Sequence, residues 1–290
     1  MVDLHSHSTA SDGTLPPKDL FTLAKSLGVR VLALTDHDTV DGIDEAIEAA
    51  GKLSIHCIPG VELEIDYPTG TFHLLGLGID HNQPKLLALL KELQETRLSR
   101  NLTILAKLNN LGIQCTWQEV LDLSTRGVVG RPHFARILVK KQIVPSVIDA
   151  FNQYLGYGMP LYEPKPGIPL GKAIQTIKNA GGISIIAHPN SLQLNRSAFT
   201  KKIVEWKALG LDGIETFHSG MSWKDGRKFA VHCKNLELIE SGGSDFHDPD
   251  DPFRILGKSC TEKRSIPVKL IEPTLTRLGI DLGEFTNSDG

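Results

Sequence analysis

The residue pattern predicts an α/β fold, a strand barrel carrying a helical insertion, and three observations support that expectation. Short apolar runs alternate with helical patterns along most of the chain, as in repeated βα units. Histidines and carboxylates gather near the ends of those runs, where the βα loops of a parallel barrel converge. That clustering favours a barrel over an open sheet. The alternation then stops between about residues 83 and 170, where one helical pattern follows another.

Strands are expected near 2–7, 29–36, 55–64, 72–79, 183–187, 213–217 and 236–241. In the first, Val2-Asp3-Leu4-His5-Ser6-His7 sets His5 and His7 two apart, so an extended backbone projects both imidazoles from one face. The next stretch, PPKDLFTLAKSLG, opens on prolines, repeats Leu20, Phe21, Ala24 and Leu27 at helical spacing, and stops at Gly28. DGIDEAIEAAGKL repeats that pattern behind the second strand. After the fourth strand, QPKLLALLKELQETRLSRNLTILAKLNNLG reads as one long helix, and WQEVLDLS, RPHFARILVKKQ and SVIDAFNQYLG as shorter ones. The expected division is therefore a barrel from 1–82 and 171–290, with 83–170 as a helical insertion that caps the substrate.

Charge is unevenly divided between the two parts. Nine Lys or Arg between 91 and 141 (Lys91, Arg97, Arg100, Lys107, Arg126, Arg131, Arg136, Lys140, Lys141) face four acids (Glu92, Glu95, Glu119, Asp122). That segment is thus +5 and, with the whole chain at −3, the remainder is −8. A basic cap over an acidic, metal-loading rim suits a substrate with several phosphates. Arg97 and Arg100 lie at i,i+3, so one helix face is expected to grip a phosphate with both. The chain as a whole, at −3 with 22% charged residues, makes no global case for nucleic-acid binding. No apolar stretch approaches the roughly 20 residues of a membrane span, and the opening MVDLHSH lacks the basic and apolar regions of a leader. Cys57, Cys115, Cys233 and Cys260 form no C-x-x-C pair, which suits free thiols. A cytoplasmic protein with no membrane contact and no obligate protein partner is expected.

The chemistry-bearing fragments are His5-Ser-His7, Asp12, Thr35-Asp36-His37-Asp38, Glu62 in PGVELEI, His73 in TFHLLGLGI, His188 in IIAHP, and Asp245 with His247 in GGSDFH. A lone His-x-His is weak evidence for a metal. The seven fragments together, nearly all near strand ends, point jointly to a multi-metal hydrolytic site. Imidazole and carboxylate donors together suit Mn, Fe or Zn. Two ions a few ångströms apart lower the pKa of a bridging water and clamp phosphoryl oxygens, so no Ser, Cys or Asp nucleophile is required. Asp36 and Asp38 flank His37 and are expected to orient an imidazole. Glu215 is expected to pack at the rim, His218 to face the pocket, and His56, His81 and His232 to be structural or on the surface.

On these fragments, together with Ser11-Asp12-Gly13, Gly60-Val-Glu62, Ala187-His188-Pro189 and Gly243-Ser-Asp-Phe-His247, the chain resembles the PHP (polymerase and histidinol phosphatase) family. The resemblance spans both halves of the expected barrel. It implies a distorted (β/α)7 barrel holding two or three divalent ions, Mn2+ first, with Zn2+, Fe2+ or Mg2+ as alternatives. One ion would be held by His5, His7, Glu62 and Asp245, with Glu62 bridging to a second site with His73 and His188. A third would use Asp12, His37 and His247, which would line the attacking metal-bridging hydroxide. Many relatives carry histidine where this chain has Asp12, an oxygen donor suited to Mn2+ or Mg2+.

Within the family, Gly130-Arg-Pro-His-Phe-Ala-Arg136 and Arg97-Leu-Ser-Arg100-Asn101 resemble the stand-alone bacterial branch that handles nucleoside 3′,5′-bisphosphates and the 5′ ends of short RNAs. That resemblance implies substrate contacts at Arg97, Arg100, Asn101, Arg131, His133, Phe134 and His218. The expected reaction is hydrolysis of the 3′-phosphate of a substrate such as adenosine 3′,5′-bisphosphate, extending to 5′-3′ exonuclease action on short 5′-phosphorylated RNA. A phosphatase for a small metabolite such as histidinol phosphate is a second reading, against which several arginines are excessive for one phosphomonoester. A non-enzymatic, metal-stabilised module is a third, against which the ligand set is complete.

Overall fold

The computed structural model describes residues 1–124, 128–164 and 167–281. Arg126 of the basic segment and the 285–290 tail lie outside them. The elements run β1 (Val2–Asp3), α1 (Pro17–Ser26), β2 (Val31–Leu34), α2 (Ile43–Leu53), β3 (His56–Glu64), β4 (His73–Leu77) and α3 (Pro84–Asn110). There follow α4 (Trp117–Leu121), α5 (Arg131–Lys140), α6 (Val147–Ala150), α7 (Leu170–Asn179), β5 (Ile183–Ile186), α8 (Arg196–Ala208), β6 (Gly213–His218), α9 (Trp223–Leu236) and β7 (Ile239–Gly243). The small antiparallel pair β8 (Lys258–Ser259) and β9 (Arg264–Ser265) precedes α10 (Glu272–Arg277).

Seven strands form one sheet in chain order, β1 to β7. A parallel bridge between Ser6 and Phe246, with His7 N donating to Phe246 O at 2.9 Å and Leu4 N to Gly242 O at 3.1 Å, brings the first strand against the last. The sheet is therefore nearly closed. It departs from a parallel βα array at one strand: β4 runs antiparallel to both β3 and β5. The physical reason is the connection. Only residues 65–72 join β3 to β4, too few for the helical crossover that a parallel pair requires. The return connection from β4 to β5 carries the whole insertion.

Alternation along the strands sorts the core into two layers. Val31, Ala33, Ile58, Leu75, Leu77 and Ile185 cluster with Val2 and Leu4 and with Leu275 of α10, which places them in the barrel interior. Their neighbours Leu32, Leu34, Leu74 and Ile186 cluster instead with Leu20 and Phe21 of α1 and Ile174 of α7. Helix α1 buries Leu20, Phe21 and Ala24 as its spacing predicts, and ends before Gly28 at φ +76°. The insertion has a cluster of its own, built from residues 104 to 161 and including Phe134, Leu138 and Leu155. Helix α3 joins the two, because Leu86, Leu90 and Leu93 belong to the barrel cluster while Ile104 and Leu108 belong to that of the insertion. The long helix expected from residue 83 is present, and SVIDAFNQYLG divides into α6 and a π-helical turn over Phe151–Leu155.

At the closing seam, Gly243 leaves no room for a side chain. A Cβ there would meet His5 Cβ at 2.2 Å and His5 N at 2.7 Å. Gly243→Ala should therefore part β1 from β7 and destabilise the fold by about 3 kcal/mol or more, the upper range for overpacking. Thermal unfolding followed by circular dichroism tests this, and an unchanged Tm would contradict the seam.

Candidate metal centre and substrate cleft

Strand order accounts for how the candidate ligands meet. His5 and His7 follow β1, where the chain bends at Leu4; His37 follows β2, Glu62 lies near the end of β3, His188 follows β5, and Asp245 and His247 follow β7. His73 is the exception, standing at the first residue of β4. Because β4 is antiparallel, its beginning lies on the rim where its neighbours end, and His73 pairs in register with Glu64. Two candidate ligands, His188 (φ 29°) and Asp245 (φ 54°), and Asp38 (φ 53°) beside His37 hold left-handed or near-left-handed backbones without being glycine. Such strain, of order 1–3 kcal/mol per residue, gathers where surrounding structure dictates side-chain aim.

Three donor groups could each hold an ion: His5, His7, Glu62 and Asp245; His37, Glu62 and His73; and His7, Asp12, His37 and His247. In the first, His5 Nε2 lies 3.2 Å from His7 Nε2 and 3.4 Å from both Glu62 Oε2 and Asp245 Oδ1, while His7 Nε2 lies 3.2 Å from each of those oxygens. A tetrahedron of ligands about 2.0–2.1 Å from a shared ion has edges of about 3.3–3.4 Å. The spacing fits. Glu62 serves all neighbours at once: Oε1 is 2.9 Å from both His73 Nδ1 and His188 Nε2, and Oε2 is 3.1 Å from His37 Nδ1. Although three imidazole nitrogens crowd it, the fully buried Oε2 has no hydrogen-bond partner. A buried anionic oxygen without donors costs several kcal/mol unless a cation meets it.

Hydrogen bonds on the far side of the rings show which nitrogens are free to ligate. Ser191 Oγ donates to Thr71 O at 2.7 Å, so it must accept from His188 Nδ1 at 2.8 Å, leaving the His188 Nε2 lone pair turned inward. His247 Nδ1 donates to the Asp245 carbonyl at 2.8 Å, and His5 Nδ1 to Glu215 Oε1 at 3.0 Å, with the same consequence. His218 is the reverse case. Its Nδ1 accepts from Gly220 N at 2.9 Å, so Nε2 carries hydrogen, 3.4 Å from Asp245 Oδ2. It offers the cleft a donor rather than a lone pair.

The electrostatics point the same way. Burial opposes charge on Glu62, yet His37, His73 and His5 hold its carboxyl well below the usual range. Burial also disfavours a charged His5, but Glu62, Glu215 and Asp245 outweigh it and hold the ring well above its ordinary value. In the same way Glu62 and Glu64 raise His73 to about 10 against the effect of burial. For His37 burial prevails and the ring falls to about 3. Among the nearby carboxylates, Asp12 and Asp245 are also held well below their normal values despite burial, by His37 and His247 in one case and by Arg254 and His247 in the other. Charged carboxylates this deep call for more positive charge than imidazoles supply, and divalent ions provide it.

Above this floor lies a cleft of about 390 Å3 whose walls include Arg97, Arg100 and Arg131 from the insertion and Arg254 from the barrel. Arg97 is not free on a shared helix face with Arg100: its Nε donates to Asp38 Oδ2 at 3.0 Å in a buried pair. Among the described residues Arg100 hydrogen bonds only to the neutral Asn101 Oδ1, at 2.9 Å through Nη2. Burial, then the adjacent Arg97 and Arg131, push its guanidinium down to about 9. Such a cationic cluster is complementary to an anion. Asn101, His133 and Phe134 do not reach the cleft. Asn101 positions Arg100 and donates to Val129 O at 2.8 Å; His133 Nδ1 accepts from Gly130 N at the start of α5, and Phe134 is fully buried in the insertion's own cluster. The GRPHFAR segment places only Arg131 and Pro132 on the cleft wall.

Glu215 does more than pack at the rim, since it orients His5 and also accepts from His188 N at 2.6 Å. Asp36 does not take that part: it holds the first loop through Ser8 N, Ser8 Oγ and Ser11 Oγ. Arg136, counted in the basic segment, donates to the Asp12 carbonyl at 2.9 Å, and Arg254, which the sequence does not single out, lies 3.4 Å from Asp245 Oδ2. No local signal distinguishes Arg254 from a surface arginine.

Residues 3–154 match the PHP domain family. A Haemophilus influenzae protein named 5′-3′ exoribonuclease is 41% identical over 247 residues, 85% of this chain and 90% of that protein. A Chromobacterium violaceum 3′,5′-nucleoside bisphosphate phosphatase is 37% identical over 257 residues, 88% of this chain and 90% of its own length. Among solved structures, a Bifidobacterium adolescentis protein described as a metal-dependent phosphoesterase superposes with a TM-score of 0.86 at 28% identity, covering 98% of both chains.

Glu62→Gln replaces an oxygen that several donor groups share. The variant should lose more than one equivalent of bound metal and nearly all turnover. Metal content by mass spectrometry, read beside activity, tests this; full occupancy with a normal rate would sink the shared-ligand assignment.

Proposed function

The chain belongs to the PHP-domain family and is a metal-dependent phosphoric ester hydrolase, and we propose that it removes the 3′-phosphate of nucleoside 3′,5′-bisphosphates, giving a nucleoside 5′-monophosphate and phosphate. By the same geometry it releases mononucleotides from the 5′ end of short 5′-phosphorylated RNA. One observation carries this reading: a cluster of arginines stands in the same cleft as the carboxylate and imidazole floor. A monophosphate substrate needs the floor alone. A second phosphate gives Arg100 and Arg131 a partner, and anchoring it there sets the other ester over the floor.

We assign the ligand sets to two or three divalent ions, Mn2+ first because Asp12 adds an oxygen donor to mixed histidine and carboxylate ligation. Bound there, such ions supply an activated water and neutralise charge on the transferring phosphoryl group. The chain's own residues do the rest. His5, His188 and His247 are held with Nε2 inward by Glu215, Ser191 and the Asp245 carbonyl, so no ring must turn before ligation. His218 Nε2–H donates to a phosphoryl oxygen or to the leaving oxygen, and Arg254 lies at the mouth of the same cleft. Residues 83–170 act as the substrate cap, with α3 fixing its two arginines relative to the barrel through the shared Leu86 to Leu93 packing. Among the described residues no helix is long and apolar enough to cross a membrane; a cytoplasmic location is part of the proposal.

If Arg100 and Arg131 hold the phosphate that is not cleaved, Arg100→Ala and Arg131→Ala should raise KM for adenosine 3′,5′-bisphosphate about tenfold or more. KM for a nucleoside 3′-monophosphate should change little, with metal content intact. Equal effects on both substrates would show that these residues only fold the insertion. Arg97→Ala should behave differently: it takes the guanidinium away from buried Asp38, and the loss of one partner of a buried ion pair costs about 3–5 kcal/mol of stability.

Which phosphate leaves can be read directly. In oxygen-18 water the label should enter the inorganic phosphate released from the bisphosphate, and RNA digestion should begin at the 5′ end. Release of the 5′-phosphate, preferential turnover of histidinol phosphate, or a phosphoenzyme trapped on rapid quench would each overturn the proposal.

A further inference from the structure

The cleft opens in two directions, and their chemistry differs. On one side, past Phe151, His218 and His247, a hollow of about 690 Å3 carries Asp248, Asp250 and Asp251, with Arg136 and Arg254, beside the exposed apolar surfaces of Ile148 and Phe253. On the other, a groove of about 970 Å3 runs between α8 and α9. Asn190 and Gly220 line both the cleft and this groove, joined by a hydrogen bond from Asn190 Nδ2 to Gly220 O at 2.8 Å. The groove is thus continuous with the site through one lip.

Its walls present Arg196, Lys224, Arg227 and Lys228 against the single acid Asp225, which pairs with Lys228. Arg196, Lys224 and Arg227 are exposed and form no salt bridge among the described residues. The floor is aromatic: the Phe199 ring packs 5.0 Å from Phe229 and 5.3 Å from His232, and the latter two are partly exposed. Unpaired cations along a groove with aromatic faces between them are the arrangement that binds a single nucleic-acid strand, cations to phosphates and rings to bases. An acidic peptide would use the cations but leave the rings without purpose.

We propose that the groove between α8 and α9 is the track for the 3′ portion of a 5′-phosphorylated single-stranded RNA whose first internucleotide phosphate lies over the metal centre. The proposal rests on the phosphoesterase reading above, and charge decides the direction. Beyond the residues it shares with the cleft, the first exit adds three aspartates and one arginine, Arg136, whereas the groove adds four cations and one acid, so a polyanion is drawn toward the groove. A bisphosphate ends at the lip and never enters the groove. Strand length, rather than the reacting phosphate, is then what the groove recognises.

The test compares wild type with Arg196→Ala/Arg227→Ala, two exposed substitutions remote from the ligands. Substrates are adenosine 3′,5′-bisphosphate, a 5′-phosphorylated diribonucleotide and a 5′-phosphorylated octaribonucleotide. Wild-type KM should fall from the dimer to the octamer. The variant should raise KM for the octamer about tenfold at low salt and leave the bisphosphate unchanged. It should also flatten the salt dependence of octamer KM by about 1.4 in log–log slope, roughly 0.7 for each lost phosphate contact on a single strand. An unchanged octamer KM, an equal rise on all three substrates, or variant-sensitive self-association in sedimentation with RNA unaffected would overturn the proposal, the last by assigning the groove to a second copy of the chain. Should wild type hydrolyse none of these substrates, the phosphoesterase reading fails by itself. Fluorescence anisotropy of the labelled octamer without metal then decides the groove: weaker binding by the variant supports it, and equal binding refutes it.

Discussion

A fully buried carboxylate among five imidazoles is the constraint on which the rest of this structure depends. Glu62 places its two oxygens within 3.4 Å of ring nitrogens from His5, His7, His37, His73 and His188, residues drawn from four other segments of the barrel rim. Burying an anion is costly unless positive charge surrounds it, so the arrangement is tenable only if those rings and the ions they can hold converge on it. Convergence in turn requires a closed rim. An open sheet in the same strand order would leave His5 and His7 far from Asp245, and the seam between β1 and β7 prevents this.

The short connection after β3 also shapes the rim. With a short β3–β4 loop the chain reverses, and β4 presents its first residue, not its last, to the ligand rim. His73 thereby joins a set otherwise supplied from strand ends, and the insertion leaves from the opposite end of β4 and returns into β5. Helix α3, 27 residues long, carries the chain from the barrel cluster to the insertion's own cluster, and the middle of the helix passes the cleft at Arg97 and Arg100. The buried Arg97–Asp38 pair ties that helix to the segment that bears His37.

Side chains behind the ligands complete the site. Glu215, Ser191 and the Asp245 carbonyl each fix a tautomer, so three rings face inward with lone pairs, whereas the Gly220 amide turns His218 into a donor. The division between groups that can hold metal and a group that can meet substrate is thus set by single hydrogen bonds on the outer edges of chemically identical residues. Beyond them the cleft separates into an acidic, apolar exit and a basic, aromatic one, which is a difference in surface charge rather than in fold.

The amino-acid sequence by itself determined the seven barrel strands, the helical run between the fourth and the fifth, and the histidines and carboxylates from which the fold draws its candidate donors. These are written locally, in apolar period, in prolines and glycines at helix ends, and in His5-Ser-His7, Thr35-Asp36-His37-Asp38 and Gly243-Ser-Asp-Phe-His247. The antiparallel direction of β4 was legible too, since the expected strands 55–64 and 72–79 leave too short a link for a helical crossover; tertiary structure decided which strand ends meet across the closed rim. It also decided which arginines remain available, since pairing of Arg97 with Asp38 joins residues 59 positions apart. The same holds for Glu215, whose partners His5 and His188 lie 210 and 27 positions away, and for His133 and Phe134, whose burial follows from how α5 packs rather than from the motif that contains them. A motif states which residues are present. Only the folded chain states which face, and which partner, each one is given.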